Sequence, residues 1–488
     1  MPALLRRRSL PTVVLLCIVS LVAFLLIRSP DRRKQYDLPY GYGSLISDYN
    51  GLYRVNPCPQ DLDYLRRPKY DFTRQLRFQR ICVFATISDD VDRSEVVNIT
   101  SDPIGTGKVL DLNNKCEVID AHGRDLPTCE HTINIKVSKP YPTRDFKDVL
   151  FVVATSADRL RDSLATFSHW LGNTNAKLLS VTLNLKNFFF GDQDKSLIAD
   201  YAKAGVKLLV SPPYDPSVGV GALHFTMIRE ALQNADANTK WIAILDDDTF
   251  FPSLNPIRDI LDKLDPSDMV YAGAVTENKA HIDQLGHFAF GGAGIFISRP
   301  LAVALEPHIE ECFKITPIRE GDGLLNECIK AITNTTLTSI KGMHQLDTAG
   351  NLDGFYESGE LPLSLHHWKS WHRAPVASMA AINKKCSDCF LQRWRLGEDA
   401  IFTNGFTIAL YRDGTGNLDL SKIEPTWDGA VDLFSESMGP FRDLVPREDK
   451  KSFYIIDSEE LSKTEYRQLY KFWKDGEDEL VEMLWKFI

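Results

Sequence analysis

Three consecutive carboxylates follow a short apolar run in WIAILDDDTFF, residues 241–251. Such an apolar run is typical of a buried strand, whereas adjacent like charges repel each other. Asp246, Asp247 and Asp248 would therefore lie at the end of a core strand, where a divalent cation could offset their repulsion. Mg²⁺ and Mn²⁺ prefer carboxylate oxygens and keep positions open for phosphate oxygens. If the chain stays extended, Asp246 and Asp248 project to the same side.

A glycine-rich loop precedes another predicted strand in FAFGGAGIFISRP, residues 288–300. Glycines remove side chains where a ligand or another backbone must approach closely, although they also form bulges and turns that bind nothing. The loop residues that would line such a site are Gly291, Gly292, Ala293 and Gly294.

A separate acidic residue lies in EGDGLLNECI, residues 320–329. Asp322 is flanked by glycines and precedes a helical apolar pattern. The helix dipole stabilises a carboxylate at that position, where it could act as a general base or could simply cap the helix. Cys312 and Cys328 bracket this loop, either as a disulfide or as two buried thiols.

A histidine pair follows an apolar run in LPLSLHHWKSWH, residues 361–372. Neutral imidazole is a common metal ligand, so His366 or His367 could complete a cation site. The alternative for such a pair is a surface position or a hydrogen-bonded position in the core.

These segments need a fold that brings strand ends together. The run VLFVVATS, residues 149–156, predicts a central strand, and helical spacing continues from Leu160 until Gly172. KLLSVTLNL, GVKLLVSP and WIAIL predict further strands, with a helix over 226–232. This alternation predicts an α/β fold with a mostly parallel sheet and helices on both faces. Ligands bind such sheets at the carboxyl ends of the strands, where the triad would lie.

An alternative role for the triad is that of a phosphatase nucleophile. Aspartate-based phosphatases carry the motif D-x-D-x-T/V after a strand. Thr249 follows Asp248 directly here, one place too early for that motif. A phosphatase would use Asp246 as the nucleophile and would release phosphate from simple esters.

The chain has 488 residues and a formal net charge of −10. The length predicts more than one domain, and the charge argues against a general nucleic-acid binder because phosphate neutralisation needs a basic face. An uncharged run at residues 10–27 follows an arginine triplet. It is longer than the apolar part of a cleaved signal peptide and ends in bulky residues, so we predict an uncleaved signal anchor.

The predicted organisation has six parts. In chain order these are a cytoplasmic tail 1–9, a transmembrane signal anchor 10–27, a stem 28–60, a small accessory luminal region 61–145, a catalytic domain 146–375 and a C-terminal extension 376–488. ICVFATI and HTINIKV predict strands in the accessory region. In the extension, FLQRWRLGEDAIFTNGFTIALYRDGTG predicts a strand pair and LVEMLWKFI predicts an amphipathic helix.

Cysteines and sequons agree with a luminal location. Nine cysteines are present, and one of them lies within the apolar run; the other eight predict disulfides in an oxidising lumen. Cys386 and Cys389 form a lone CxxC, for which a local disulfide and free thiols are both possible. Asn98 and Asn334 begin N-x-T sequons and predict N-glycosylation.

The order of these motifs resembles the Fringe-like β-1,3-glycosyltransferases of glycosyltransferase family 31, in particular the fungal and plant Fringe-related branch. The resemblance covers about residues 146–375, from the strand that enters DDD through FGGAG and the acidic loop to SLHH. The family places adjacent acidic residues before the helix, whereas Gly321 and Gly323 flank Asp322 here. The resemblance implies a Rossmann-like GT-A fold, a UDP-sugar donor, and Mn²⁺ or Mg²⁺.

The resemblance also implies roles for individual residues. Asp248 would bind the metal together with His366 or His367, with His366 preferred. Asp322 would be the catalytic base. The donor-binding candidates are Asp246, Asp247, the residues of the glycine-rich loop, Thr155, and Arg159 or Arg161.

The implied activity is an inverting, metal-dependent transfer of a sugar from a UDP-sugar to a hydroxyl of an acceptor glycan or glycoprotein, with a β-1,3 linkage. The enzyme would be a UDP-sugar-dependent hexosyltransferase in the Golgi or endoplasmic reticulum membrane, single-pass and type II, with a luminal catalytic domain. The alternative is a catalytically inactive Fringe-like protein that binds sugars or acts as a scaffold in the secretory pathway.

Overall fold

The computed structural model describes residues 60–101, 103–113, 129–182 and 192–488. The predicted cytoplasmic tail, the signal anchor at 10–27 and the stem up to residue 59 lie outside these described residues. Within the described part, none of the helices has the length and apolar character needed to cross a membrane. Residues 58–488 form one compact unit.

The strands are numbered in chain order. They are β1 Gln75–Ile87, β2 Val97–Ile99, β3 Lys108–Asp111, β4 His131–Val137, β5 Val149–Thr155, β6 Lys177–Thr182, β7 Lys207–Ser211, β8 Trp241–Leu245, β9 Tyr271–Gly273, β10 Ile295–Ser298, β11 Leu337–Ser339, β12 Ala349–Gly350, β13 Arg393–Leu396, β14 Ala400–Thr403, β15 Thr407–Tyr411, β16 Trp427–Asp428, β17 Lys450–Glu460, β18 Glu465–Phe472 and β19 Glu477–Phe487.

The α-helices of the described residues are numbered in the same way. They are α1 Ala157–Asp162, α2 Leu164–Leu171, α3 Asp192–Lys203, α4 Val220–Thr226, α5 Ile228–Asn234, α6 Asn255–Leu261, α7 Lys279–Leu285, α8 Arg299–Leu305, α9 Ile309–Ile315, α10 Gly321–Ile332, α11 Asp353–Tyr356, α12 Val376–Ala380 and α13 Ser435–Met438. Short 3₁₀ helices occupy Gln60–Arg66, Pro68–Tyr70, Glu306–His308, Ala381–Lys384, Val431–Phe434 and Arg447–Asp449.

A seven-stranded sheet carries the predicted motifs, with the strand order β11-β9-β10-β8-β5-β6-β7. Strands β5, β6, β7 and β8 pair in parallel, and β10 runs antiparallel to both of its neighbours. The mixed α/β fold with a mostly parallel sheet is therefore confirmed. Because β10 is reversed, its amino end lies beside the carboxyl end of β8, and Ile295 pairs with Ile244.

The two faces of this sheet bury different side chains. In β5, Phe151 belongs to one hydrophobic cluster and Val152 to another, as expected when successive residues of a strand point to opposite faces. Leu160 of α1 packs on the first face, and Phe225 of α4 packs on the second. Helices on both faces, as predicted, leave the carboxyl edge of the sheet open for a site.

The start and end of the first helical segment follow local chemistry. Ser156 caps α1, and its side chain accepts a hydrogen bond from the backbone nitrogen of Arg159. The segment ends at Leu171, as the glycine that follows predicts. A side chain at Gly172 would place its Cβ 2.6 Å from Ser168 O, so the chain can turn there only without one.

A ten-stranded sheet joins the two regions that the sequence divided into an accessory region and a C-terminal extension. Its order is β2-β13-β14-β15-β17-β18-β19-β1-β3, with β4 also paired to β1. The long strand β1 lies parallel to β19 along eleven residue pairs, from Gln75 with Glu477 to Ala85 with Phe487. The predicted strands ICVFATI, HTINIKV and the pair around residues 393–403 are confirmed. Strands of the two regions thus belong to one sheet, and these regions do not fold separately.

The predicted amphipathic helix LVEMLWKFI is wrong, because these residues belong to β19. The strand is central and pairs with β1 on one side and β18 on the other, and its middle residues are buried on both faces. Continuous burial on two sides hides the alternation that identifies a strand. Trp485 is fully buried in the core that also includes Phe151, so this strand seals the seven-stranded sheet against the ten-stranded one.

Three disulfides connect Cys82 with Cys129, Cys312 with Cys328, and Cys386 with Cys389. The two cysteines that bracket the loop before α10 therefore form a disulfide, and so do the two cysteines of the CxxC pair. The cysteines at positions 58 and 116 lie outside the described residues. The second disulfide ties α9 to α10, the helix whose first turn carries Asp322.

We predict that Trp485→Ala lowers the free energy of unfolding by about 3–5 kcal/mol, because it leaves a cavity in the shared core. Trp473→Ala is the matched control, since this tryptophan is 56% exposed and should cost less than about 1 kcal/mol. Chemical denaturation followed by circular dichroism measures both. Equal losses for the two variants would contradict the proposed role of β19.

Candidate functional site

The middle aspartate of the triad is a structural anchor. Asp247 is 5% exposed and accepts hydrogen bonds from both guanidinium nitrogens of Arg159 that face it, with the Nε contact at 2.6 Å. The hydroxyl of Thr155, at the end of β5, donates to the same carboxylate. A bidentate arginine pair fixes geometry as well as charge. Asp247 therefore locks β8 to β5 and points away from the other two carboxylates.

The outer two aspartates meet at one imidazole. His366 Nε2 lies 3.1 Å from Asp246 Oδ2 and 3.1 Å from Asp248 Oδ1. Its Nδ1 lies 3.1 Å from the carbonyl oxygen of Gln345, which can only accept, so Nδ1 carries a proton. In a neutral ring Nε2 is then the lone-pair atom, which suits a metal ligand. A bridge between Phe250 and Leu365, with both hydrogen bonds at 2.8 Å, holds His366 beside the triad.

The second histidine is connected to Asp248 through Ser370. His367 Nε2 is 3.0 Å from Asp347 Oδ1, and its Nδ1 is 3.1 Å from Ser370 Oγ. Ser370 also donates to Asp248 Oδ2 at 2.8 Å. The ring of Trp371 stacks on His367 with a centroid distance of 3.9 Å. Asp248, Ser370 and His367 thus form one hydrogen-bonded chain.

The predicted base, Asp322, is connected to the aspartate triad through a histidine. Asp322 Oδ2 accepts a hydrogen bond of 2.8 Å from the backbone nitrogen of Gly291. His224, in α4, bridges the two acidic groups. Its Nε2 is 2.7 Å from Asp246 Oδ1 and its Nδ1 is 3.4 Å from Asp322 Oδ1. The Asp322 side chain remains 19% exposed, so it can contact a bound molecule.

The glycine-rich loop is built for close contact with these side chains. A Cβ at Gly292 would collide with the ring of His366. A Cβ at Gly291 would lie 2.9 Å from both Asp322 Oδ1 and His224 Nδ1. Thr249 ties the loop to the triad, because its hydroxyl donates to Gly292 O at 2.9 Å. The glycines therefore allow His366, Asp322 and His224 to pack closely against the loop. This packing requires glycines whether or not a ligand also approaches the loop.

The electrostatics of the cluster are strongly coupled. Burial raises the pKa of Asp246, but His224 and then His366 outweigh burial and hold this pKa well below its usual range. Burial lowers the pKa of His366, but Asp246 and Asp248 outweigh it and raise the pKa to about 10. Burial also lowers the pKa of His224, but Asp246 and Asp322 outweigh burial and raise this pKa well above its usual range. Protonation of these two histidines would offset the charge of the carboxylates.

The cluster fits a divalent cation by its donor chemistry. Asp248, His366 and His367 each offer one ligand atom, and these atoms lie within 4.8 Å of one another. One carboxylate with two imidazoles suits Mn²⁺ better than Mg²⁺, because Mg²⁺ prefers an oxygen-only set. Asp347 and the carbonyl of Gln345 would then orient the two imidazoles from outside the cluster, as carboxylates and carbonyls do at metal sites.

A buried glutamate supports this arrangement from behind. Glu277 Oε1 accepts from Gln345 N at 3.0 Å, and its Oε2 accepts from Leu346 N at 2.8 Å. His344 is buried between Glu277 and Glu360, with 3.1 Å to each. Burial lowers the pKa of His344, but the two carboxylates outweigh it and raise the pKa to about 9. This network fixes the carbonyl that orients His366.

Comparison with known proteins gives limited matches. A family model described as a protein of unknown function, DUF604, matches residues 284–381. That segment is about a fifth of the chain; it includes the glycine-rich loop and both histidines but not the aspartate triad. Among curated proteins, no match is found.

Solved structures that resemble the chain include several glycosyltransferases. The galactosyltransferase LgtC with donor and acceptor sugar analogs is 12% identical, covers 48% of this chain and 93% of its own, and has a TM-score of 0.32. Mouse xyloside xylosyltransferase 1 is 10% identical, covers 50% of this chain and 95% of its own, and scores 0.28. A glycosyltransferase for the major capsid of PBCV-1 is 12% identical, covers 48% and 99%, and scores 0.27. Scores this low do not assign a function, which must be argued from the site.

The structure brings most of the predicted residues together. Of the two arginines, Arg159 reaches the triad, whereas Arg161 pairs with Asp158 at 2.9 Å. Ala293 donates from its backbone to Gln345 Oε1 at 2.8 Å, and Gly294 adopts a φ of 106° that favours glycine. Asn98 and Asn334 are both exposed.

Sequence analysis missed several residues of the site. His224 gave a weak signal, as a single histidine in a helix that follows β7. Ser370 and Trp371 lie in the quoted histidine segment but were not considered. Asp347 and Gln345 lie in a loop whose pattern indicates no chemistry.

We predict that Gly292→Ala weakens Mn²⁺ binding by about tenfold or more, because the added methyl group must displace the His366 ring. Gly416→Ala is the matched control, since a Cβ there would meet nothing within 4 Å. Calorimetric titration with Mn²⁺ measures both variants. Unchanged Mn²⁺ affinity in Gly292→Ala would show that His366 is not a ligand.

We predict that His344 makes the stability depend on pH. Its folded-state pKa of about 9 exceeds the unfolded value of about 6.5, so its contribution is complete below pH 6.5 and is lost as the pH rises through 9. The loss amounts to about 3 kcal/mol at most. Denaturation of the wild type and of His344→Gln from pH 6 to pH 9.5 measures it. The two free energies of unfolding should converge at high pH, and a constant difference would contradict the assignment.

Proposed function

We propose that the protein is a metal-dependent, inverting glycosyltransferase that moves a sugar from a UDP-sugar to a hydroxyl of an acceptor glycan. The observation that carries this proposal is the separation of two acidic functions at one edge of the sheet. Asp248 belongs to a carboxylate–histidine cluster, whereas Asp322 lies outside that cluster and is joined to it only through His224 and Asp246.

The cluster of Asp248, His366 and His367 would hold Mn²⁺ beside the diphosphate of the donor. Bound there, the cation would neutralise the negative charge that develops on the diphosphate as UDP leaves. Asp246 is 29% exposed and its carboxylate would accept hydrogen bonds from hydroxyls of the donor sugar or ribose. Asp247 is buried and already accepts hydrogen bonds from Arg159 and Thr155, so we assign it a positioning role instead of donor contact.

Asp322 would act as the general base. Its Oδ2 is held by the backbone nitrogen of Gly291, which fixes the carboxylate beside the glycine-rich loop. The acceptor O–H bond breaks as the proton moves to Asp322, and the acceptor oxygen attacks the anomeric carbon from the face opposite UDP. The bond from that carbon to the diphosphate oxygen breaks with its electron pair, and the configuration inverts.

His224 would keep the two acidic groups in their separate roles. Its ring contacts Asp246 on one side and Asp322 on the other, and these two contacts fix its orientation. A β-1,3 linkage, the Fringe-like relationship, and a type II location in the Golgi or endoplasmic reticulum belong to the proposal through the resemblance of the motifs. N-glycosylation at Asn98 and Asn334 also belongs to it, and both residues are exposed.

Release of UDP from a panel of UDP-sugars tests the proposal. The full-length protein is incubated with each donor in Mn²⁺ or in EDTA, beside Asp248→Ala. Many transferases slowly hydrolyse their donor without an acceptor. We expect Mn²⁺-dependent release from one donor and its loss in Asp248→Ala. Mn²⁺-dependent UDP binding without release, with or without glycan acceptors, would support the inactive sugar-binding alternative.

We predict that Asp322→Asn lowers transfer by at least about a hundredfold, because an amide cannot accept the proton. UDP affinity in Mn²⁺ should stay within about threefold of wild type, since Asp322 does not belong to the metal cluster. Asn is isosteric and can still accept from Gly291, so the fold is preserved. A parallel loss of UDP affinity would mean that Asp322 binds the donor and is not the base.

A further inference from the structure

Two cavities outside the metal cluster share four lining residues. The first has a volume of about 560 Å³ and the second about 910 Å³, both typical of ligand sites. Both are lined by Asn351, Asp353, Tyr454 and Trp473. Because they share one wall, we treat them as a single feature and name it the aromatic cleft.

Trp473 gives this cleft an exposed flat surface. Its side chain is 56% exposed, although aromatic side chains of this size are mostly buried in folded proteins. The Tyr454 ring lies beside it with a centroid distance of 6.3 Å. Lys471 Nζ is 5.4 Å from the Trp473 centroid and supports the ring. The cleft therefore presents an apolar aromatic wall on which another flat, weakly polar molecule could stack.

Polar groups converge on the same wall. Tyr454 donates to Asp353 Oδ2 at 2.5 Å, and the Asn351 side chain donates to the same oxygen at 2.9 Å. Asp353 and Asn351 line both cavities, so the shared wall offers a carboxylate and an amide for hydrogen bonds with a ligand.

The charged side chains that line the two cavities balance, so they do not favour an anion. The five cations are Arg373, Arg412, Arg447, Lys450 and Lys451, and the five carboxylates are Asp353, Asp399, Glu424, Glu448 and Asp449. Lys450 is paired with Glu357 at 2.5 Å, and Lys451 is paired with Glu479 at 2.7 Å. Asp353 adds a carboxylate to the wall that both cavities share. A neutral ligand with one apolar face and several hydroxyls fits these groups best. The ring of a sugar has this chemistry, with C–H groups that stack on an aromatic ring and hydroxyls at its edge.

The cleft is connected to the candidate active site by the turn that follows His367. The backbone nitrogens of Trp371 and His372 both donate to His367 O at 3.1 Å. Trp371 is 56% exposed while it stacks on His367, and His372 lines the first cavity. One short turn therefore contacts the metal cluster at its start and the cleft at its end.

We propose that the aromatic cleft binds sugar residues of the acceptor, so that the acceptor is an extended, neutral oligosaccharide. Trp473 and Tyr454 form the stacking surface, while Asp353 and Asn351 bind ring hydroxyls. Describing the bound oligosaccharide as the acceptor rests on the proposed function. Oligosaccharide binding in the cleft itself does not require donor turnover, so the two can fail separately.

An array of defined neutral and N-linked oligosaccharides, probed with the full-length protein without donor, tests the inference. Calorimetry then measures the affinity of the strongest binder. Trp473→Ala should weaken it by about tenfold or more, because the stacking surface is lost. Trp473→Phe should retain most of it. Tyr214→Ala is the matched control, since Tyr214 is 63% exposed and does not line the cleft, and it should bind as wild type does.

Asp248→Ala separates this inference from the proposed function. It should bind the oligosaccharide as tightly as wild type while it loses Mn²⁺-dependent UDP release. If no donor is turned over but Trp473-dependent binding persists, the cleft stands and the transferase proposal fails. If no oligosaccharide on the array binds, or if Trp473→Ala leaves the affinity unchanged, the cleft is not a sugar site. Equal binding of an unglycosylated peptide would also overturn it.

Discussion

Three adjacent carboxylates at the end of a buried strand must each be neutralised, and this constraint shapes the site. Asp247 is neutralised inside the fold by Arg159 of α1, and Thr155 at the end of β5 donates to the same carboxylate. Asp246 is held between His224 and His366, and Asp248 between His366 and Ser370. Because the strand fixes the positions of all three, the surrounding loops must bring positive or donating groups to them. The central aspartate gives rigidity, and the outer two stay available for chemistry.

Close backbone packing makes this arrangement possible. The reversed strand β10 delivers the glycine-rich loop to the carboxyl edge of the sheet, where Gly291 and Gly292 let Asp322 and His366 approach without collision. The disulfide between Cys312 and Cys328 ties α9 to the helix that carries Asp322. On the other side, Glu277 fixes the loop whose carbonyl orients His366. The edge of the sheet that carries the candidate site is thus supported by elements from distant parts of the chain.

Much of the seven-stranded sheet could be predicted because its signals are local. Continuous apolar runs identify β5 and β8, and helical spacing after Ser156 identifies the helices that follow. The position of the triad at a strand end then follows from the fold class. The partnership of β1 with β19 could not be predicted, since these strands come from opposite ends of the chain. Burial of β19 on both faces also conceals its strand period, so its apolar residues suggested a helix.

The residues of the candidate site could be named from the sequence, but the contacts between them could not. Aspartates and histidines in short motifs indicate metal chemistry by their residue types. His224 and Glu277 act only through their contacts, which depend on how α4 and the loop after β9 fold back on the sheet. The glycines were expected to admit a ligand, whereas they also admit the ring of His366 and the carboxylate of Asp322. The sequence pattern alone does not show whether a glycine makes room for a ligand or for a neighbouring side chain.

The central claim is that Asp248 and His366 create a cation site that binds the donor through its diphosphate. Calorimetric titration of the full-length protein with UDP, in Mn²⁺ and in EDTA, tests it most directly. The account predicts one UDP site that appears only with Mn²⁺ and disappears in His366→Ala, while Tyr214→Ala keeps it. UDP binding that is equal in Mn²⁺ and EDTA, or that survives His366→Ala, would contradict the account.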